Sequence, residues 1–198
     1  MDEPLSNLDA KLREEMRVEL RELLNRLHIT TLYVTHDQLE ALTMSDRVAV
    51  MNAGSILQEG LPRQLYQSPA DAFVARFIGQ ANLLRGRLCG IRENGCGTVK
   101  LKNRLLECLL SKSVAAEAEV LVMIRPEDVV LWGESERPPK NFLQGKVESA
   151  CFIGDSLDCM ITTEDERIRI RVHPSNVVER GQCISLYFPP ERCRCVPL

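Results

Sequence analysis

Two adjacent acids open this chain, Asp2 and Glu3, followed by Pro4-Leu5-Ser6-Asn7-Leu8-Asp9. Paired carboxylates of this kind suit hydrolysis of a nucleotide: one holds magnesium, the other positions and deprotonates water. His36 is the next residue with chemistry in reach. It falls between a β-rich run at residues 29–35 and the helix start Asp37-Gln38-Leu39-Glu40. Ligands collect at such places in open α/β sheets. An imidazole there can reach a γ-phosphate and hold the attacking water; the alternative is a surface histidine at a strand end. His28 and His173 have no such surroundings.

Paired acids of this type cap a buried strand, a short apolar run covered on both faces. Only Met1 precedes Asp2. The expectation is therefore the C-terminal part of a larger protein, entered in mid-site. Asp9 is a candidate N-cap for a helix whose Leu12, Met16, Leu20, Leu23, Leu24 and Leu27 recur at helical spacing, which predicts one core-facing stripe. Residues 29–35 predict a buried strand. Asp37 and Glu40 stand at capping-box spacing. A strand over 47–51 turns at Asn52-Ala53-Gly54 into a hairpin partner over 55–59. Pro62 and Pro69 each suit a helical first turn, and Gly79 suits a helix stop. This order fits the second half of an α/β nucleotide-binding core over residues 1–79. With strands of the sheet absent, apolar edges and faces are expected to stay bare.

From about residue 82 the pattern changes to short runs of alternating apolar residues, among them 119–124, 145–153, 157–162, 168–172 and 183–188. Their spacing predicts a small all-β barrel, or a pair of barrels, over residues 80–198. Residues 133–141, with Pro138-Pro139, predict a long loop inside it.

Composition excludes several classes. Hydrophobic residues make up 44% and charged residues 27%, with net charge −3. No run of 18 apolar residues marks a transmembrane helix. The start is acidic, unlike a signal peptide. Aromatics are only 5%, and no basic cluster accompanies them, so the aromatic platforms and basic groove of a nucleic-acid binder are missing. Arg167, Arg169 and Arg171 alternate on one strand face and predict a solvated or partner-facing stripe. The eight cysteines all follow residue 88, and none forms a C-x-x-C pair. They are expected to be free thiols used as small apolar residues, not zinc ligands.

Taken in order, these pieces resemble the ATP-binding subunit of ABC transporters, of the importer group that handles maltose, polyamines and ferric iron. Asp2-Glu3 match the end of the Walker B strand, Ser6-Asn7-Leu8-Asp9 the D-loop, and Val34-Thr35-His36-Asp37 the switch-histidine loop. Phe77-Ile78-Gly79, Asn82-Leu83-Leu84 and Arg125-Pro126-Glu127 match the appended TOBE domain. The resemblance implies an OB-like TOBE fold for residues 80–198. It implies ATP and Mg2+ as cofactors, with Glu3 and His36 catalytic, Asp2 holding Mg2+ through water, and Ser6, Asn7 and Asp9 contacting the site across a homodimer. Asp9 can serve that role and cap a helix as well. The implied partners are a second copy and transmembrane permease subunits; the implied place is the inner face of the plasma membrane, peripheral, on the cytoplasmic side. No G-x-x-x-x-G-K-[ST] and no Leu-Ser-Gly-Gly-Gln occur in the 198 residues. This polypeptide by itself is therefore expected not to hydrolyse ATP. The alternative is a non-enzymatic module in which the TOBE half supports oligomerisation or senses a ligand.

Overall fold

The computed structural model describes residues 1–92, 95–111, 114–133, 140–164 and 166–198. Most of the expected loop at 133–141 lies outside the described residues. The chain forms two compact units, Met1–Pro69 and Ala70–Leu198.

The first unit opens with helix α1 (Ala10–Leu27). Asp9 caps it, accepting from the amides of Lys11 and Leu12 at 3.1 and 3.0 Å. His28, left-handed at φ 54°, ends it. The expected core stripe is not a core: no residue of α1 is buried, and Leu12, Leu23 and Leu27 are all exposed. Residues 29–35 also depart from expectation. They run extended but carry one isolated parallel bridge, Asp2 with Val34. Ile29, Leu32 and Val34 are exposed, Leu32 at 80%. The physical reason is the same for both. Apolar faces are buried only by neighbouring layers, and here the strand has one short partner and no sheet around it.

Helix α2 (Gln38–Met44) follows, capped by Asp37. Strands β1 (Val48–Asn52) and β2 (Ser55–Gly60) form the expected hairpin. Ala53 and Gly54 both have positive φ at its tip, 46° and 79°, as a type I′ turn requires. Helix α3 (Pro62–Gln67) starts at its proline. Leu5, Met44, Val48, Val50 and Leu65 are the buried apolar residues that hold this unit.

The second unit begins with helix α4 (Ala72–Phe77), capped by Asp71. Pro69 thus lies before the cap, not in the first turn. Ala75 packs with Leu121, Met123 and Val196. The buried Arg125 guanidinium donates to the carbonyls of Ala75 and Gln80 at 3.0 and 2.9 Å. These contacts tie α4 to the β-rich unit, so the compact units divide at 69/70 while the expectation set 79/80.

Ten strands follow: β3 (Asn82–Ile91), β4 (Cys96–Lys100), β5 (Leu105–Leu110), β6 (Glu119–Ile124), β7 (Val130–Leu131), β8 (Phe142–Phe152), β9 (Leu157–Thr162), β10 (Arg167–Val172), β11 (Cys183–Tyr187) and β12 (Arg194–Pro197). One closed barrel runs β12-β5-β4-β3-β6, and one five-stranded sheet runs β10-β9-β8-β11-β7. A single apolar core joins them, with Leu84, Leu106, Ile124, Leu143, Ile168 and Phe188 among its members.

The two sheets are copies of one plan. β5-β4-β3-β6 and β10-β9-β8-β11 have the same order. Asn82-Leu83-Leu84-Arg85-Gly86-Arg87-Leu88 matches Asn141-Phe142-Leu143-Gln144-Gly145-Lys146-Val147 in apolar pattern, asparagine and glycine. A register shift follows Leu88 in one copy and Val147 in the other. A Cβ on Gly86 would meet Val99 Cγ1 at 2.6 Å and the Lys100 carbonyl at 2.7 Å; on Gly145 it would meet Ile161 Cγ2 at 2.6 Å and the Thr162 carbonyl at 2.9 Å. The final strands are exchanged: β7 pairs with β11, and β12 with β6. β12 has four residues and also pairs with β5, which closes the barrel. β7 has two residues and pairs with β11 alone, so the second sheet stays open.

Candidate functional site

The first unit brings Glu3 and His36 together. The Met1 amine donates to the Leu32 carbonyl, the Val34 amide to the Met1 carbonyl, and the Glu3 amide to the Val34 carbonyl, at 2.9, 2.9 and 2.8 Å. These parallel rungs set the ends of both segments at one level. Two residues beyond Val34, His36 Nδ1 lies 2.8 Å from Glu3 Oε1. The Glu3 carboxylate holds the His36 pKa above its ordinary value, first through this hydrogen bond and then through charge. Both side chains are open to solvent, at 74% for His36 and 43% for Glu3.

Glu3 adopts φ 42°. A left-handed glutamate costs on the order of 1 kcal/mol and is uncommon outside turns and functional sites. Here it starts the turn that follows. The Ser6 amide and hydroxyl both donate to the Glu3 carbonyl, at 3.2 and 2.9 Å, and the Leu8 amide donates to the Leu5 carbonyl. Leu5 is buried and pins this turn; Asp2, Ser6 and Asn7 stay exposed around it. Asp9 closes the turn as the cap of α1.

Sequence reasoning did not single out Arg13, which spans two loops. Its guanidinium donates to the Leu8 carbonyl at 2.8 Å and the Ser6 carbonyl at 3.4 Å, and it approaches Asp37 at 3.8 Å. By its spacing from Asp37, Glu40 stands at the far end of a capping box. The structure corrects this. Asp37 accepts from the Leu39 and Glu40 amides, but its own amide donates to Thr35 Oγ1 at 2.9 Å. The buried Glu40 carboxylate instead accepts from the Tyr33 and Thr35 hydroxyls at 2.9 and 2.8 Å. Burial, then the Glu40 hydrogen bond and charge, push the Tyr33 pKa up. The spacing of Asp37 and Glu40 carries the capping signal, while the hydroxyls that take Glu40 lie in the extended segment before the helix.

Among the described residues, no group of three or more His, Cys, Asp or Glu side chains could hold a metal ion. Magnesium keeps most of its water and needs only one or two carboxylates beside phosphate oxygens. The exposed Asp2 beside Glu3 fits that modest demand. In the second unit Cys108, Cys159, Cys193 and Cys195 are buried core residues, and Cys89, Cys151 and Cys183 are exposed thiols. Of the arginine stripe, Arg167 pairs with Glu148 and Arg169 with Asp158.

Residues 122–196 match the TOBE domain family. Over 191 residues the chain is 42% identical to the spermidine/putrescine import ATP-binding protein PotA of Acetivibrio thermocellus, covering 96% of this chain and 51% of that protein. It is 45% identical over 156 residues to the Fe(3+) ions import ATP-binding protein FbpC of Fusobacterium nucleatum, covering 78% of this chain and 39% of that one. Over most of its length the chain is thus similar to import ATP-binding proteins, and its C-terminal part matches the TOBE domain family. It spans about half the length of these relatives. A solved structure of the cytoplasmic molybdate-binding protein ModG is similar in fold, with TM-score 0.54 at 16% identity, over 59% of this chain and 96% of that one. No helix among the described residues is long and apolar enough to cross a membrane.

Proposed function

We propose that residues 1–69 supply one part of an ATP-hydrolysing site and residues 70–198 the TOBE module of an ABC-importer ATPase subunit. The Glu3–His36 contact at 2.8 Å carries this reading. A carboxylate and an imidazole this close support a reading in which one water and one γ-phosphate are held together. Glu3 accepts the proton of the attacking water. His36 donates to the γ-phosphate and fixes that water's direction. Asp2 would hold Mg2+ through water, and the ion would supply positive charge beside the phosphate oxygens. Ser6, Asn7 and Asp9 form the turn that meets the second copy's site in a homodimer. The subunit works at the inner face of the plasma membrane, against transmembrane permease subunits. The names of its relatives favour a polyamine or ferric iron as cargo.

A second reading has an observation of its own. The β-rich unit has a closed barrel and a continuous core, whereas α1 and residues 29–35 stay uncovered. A non-enzymatic oligomerisation or ligand-sensing module would need only the former. Titration calorimetry of the 198-residue chain with Mg-ATP is the test, paired with the same titration on a chimera. In the chimera, residues 1–198 replace the matching half of the Acetivibrio thermocellus relative. Our reading expects weak or no binding by the chain, because it has no P-loop sequence, and binding with hydrolysis by the chimera. A chimera that binds and hydrolyses nothing would favour the second reading.

A further inference from the structure

We infer that Glu40 is a positioning residue for His36, acting through Thr35 and Asp37 without touching substrate. The inference rests on the ATPase reading of His36 for its consequence, but not for its geometry.

Glu40 is 2% exposed, on the inner side of α2. A buried carboxylate is costly unless its oxygens find donors. Here one oxygen takes two, the hydroxyls of Tyr33 and Thr35. The Thr35 hydroxyl gives its proton to Glu40, so its lone pairs are aimed elsewhere. One of them accepts the Asp37 amide at 2.9 Å. Asp37 in turn caps the helix that carries Glu40. The circuit therefore closes: helix to Glu40, to Thr35, to Asp37, and back to the helix.

His36 sits inside this circuit, between its two backbone anchors, and is itself exposed. An exposed side chain on a loop would otherwise sample several rotamers. Thr35 and Asp37 are held on either side, so the His36 backbone has little freedom left, and its ring meets Glu3 at 2.8 Å. Catalytic groups lose rate steeply when displaced by about 1 Å, which gives such a frame a purpose beyond local stability. A plain capping box at the same spacing would have spent Glu40 on its own helix. Burying it on the hydroxyls of Tyr33 and Thr35 links the helix to the extended segment at the point where His36 stands.

The test is NMR titration of the His36 ring in the 198-residue chain. Charged groups facing that ring are Glu3, Asp37 and Glu40. Glu3→Gln sets the reference for a released His36. Glu40→Ala is expected to bring the His36 pKa down to that reference, Glu40→Gln to keep part of the upward shift, and Thr35→Val, which leaves Glu40 in place, to lower it as well. A direct charge effect of Glu40 would instead leave Thr35→Val unchanged, and that result overturns the inference. So does a His36 pKa that stays raised in Glu40→Ala while the amide spectrum of α2 is retained. Should Glu40→Ala lose the α2 amides, Thr35→Val alone decides. In the chimera, Glu40→Ala should lower kcat about ten-fold with unchanged ATP affinity, a step in the range set by misaligned catalytic groups. A chimera inactive from the start would count against the ATPase reading and leave the ring titration standing.

Discussion

Asn82 and Asn141 make the same pair of hydrogen bonds, each to the copy of the β plan it does not belong to. Asn82, on the first copy of the β plan, accepts from the Arg169 amide and donates to the Arg169 carbonyl, both at 2.8 Å. Asn141, on the second copy, accepts from the Glu107 amide and donates to the Glu107 carbonyl, both at 2.7 Å. Each buried carboxamide replaces a missing strand neighbour for the other copy's β10 or β5. Asn141 also donates to the Phe188 carbonyl at 2.9 Å. These two side chains, with the exchanged β7 and β12, bind the copies into one body.

Asn82→Leu and Asn141→Leu should therefore each destabilise the second unit. Each leaves a backbone amide and a carbonyl buried without their partner, worth roughly 1–3 kcal/mol. Asn141→Leu should cost more, since Asn141 also holds φ 62°, which a leucine resists. Urea unfolding followed by circular dichroism measures both. A change under about 0.5 kcal/mol, the range of ordinary surface substitutions, would mean that the carboxamides do not join the copies.

The thiols should divide by burial. Cys89, Cys151 and Cys183 are exposed and should react quickly with a thiol reagent at neutral pH. Burial pushes Cys193 up to about 12, and it raises Cys159 too. Cys108 is pushed up by its hydrogen bond with Cys195 and by burial. These buried thiols should react only on unfolding. Mass spectrometry of a timed labelling series gives the order; early labelling at Cys108 or Cys193 would contradict the closed barrel.

The Glu3–His36 contact should show a pH dependence with a defined sign. Its folded pKa is raised, so its contribution is fully present below the ordinary histidine value of about 6.5. It fades as pH rises through the raised value. Thermal melts of the chain and of Glu3→Gln should thus differ most at mildly acid pH and converge at alkaline pH. A difference that grows with pH would show that His36 is not the group involved.

How far the sequence could carry this account depended on what each residue answers to. Asp9, Asp37, Pro62 and the Asn52-Ala53-Gly54 turn answer to bonds within a few residues, and the structure has them where the spacing put them. The strands at 119–124 and 157–162 were legible because β6 and β9 each keep an alternating or apolar face toward one core. The stripe on α1 and the run at 29–35 had the right pattern, but burial is a property of neighbours, and none of the described residues covers them. Glu40 had the spacing of one bond and made another, because two hydroxyls in the preceding extended segment outcompeted a helix-start amide. The duplication is faint in the sequence because only Asn82/Asn141, Leu84/Leu143 and Gly86/Gly145 are identical between the opening segments; the other positions keep apolar or polar character at most.

The central claim is that Glu3 activates water beside His36. The most direct measurement is steady-state ATP hydrolysis and Mg-ATP affinity of the chimera carrying Glu3→Gln. The amide keeps size and polarity but cannot accept the water's proton, so turnover should fall by about 10²–10⁴ with binding retained. His36→Ala should lower turnover in the same direction. Near-normal hydrolysis by Glu3→Gln would contradict the assignment, and with it the reading of the first nine residues as part of a catalytic site.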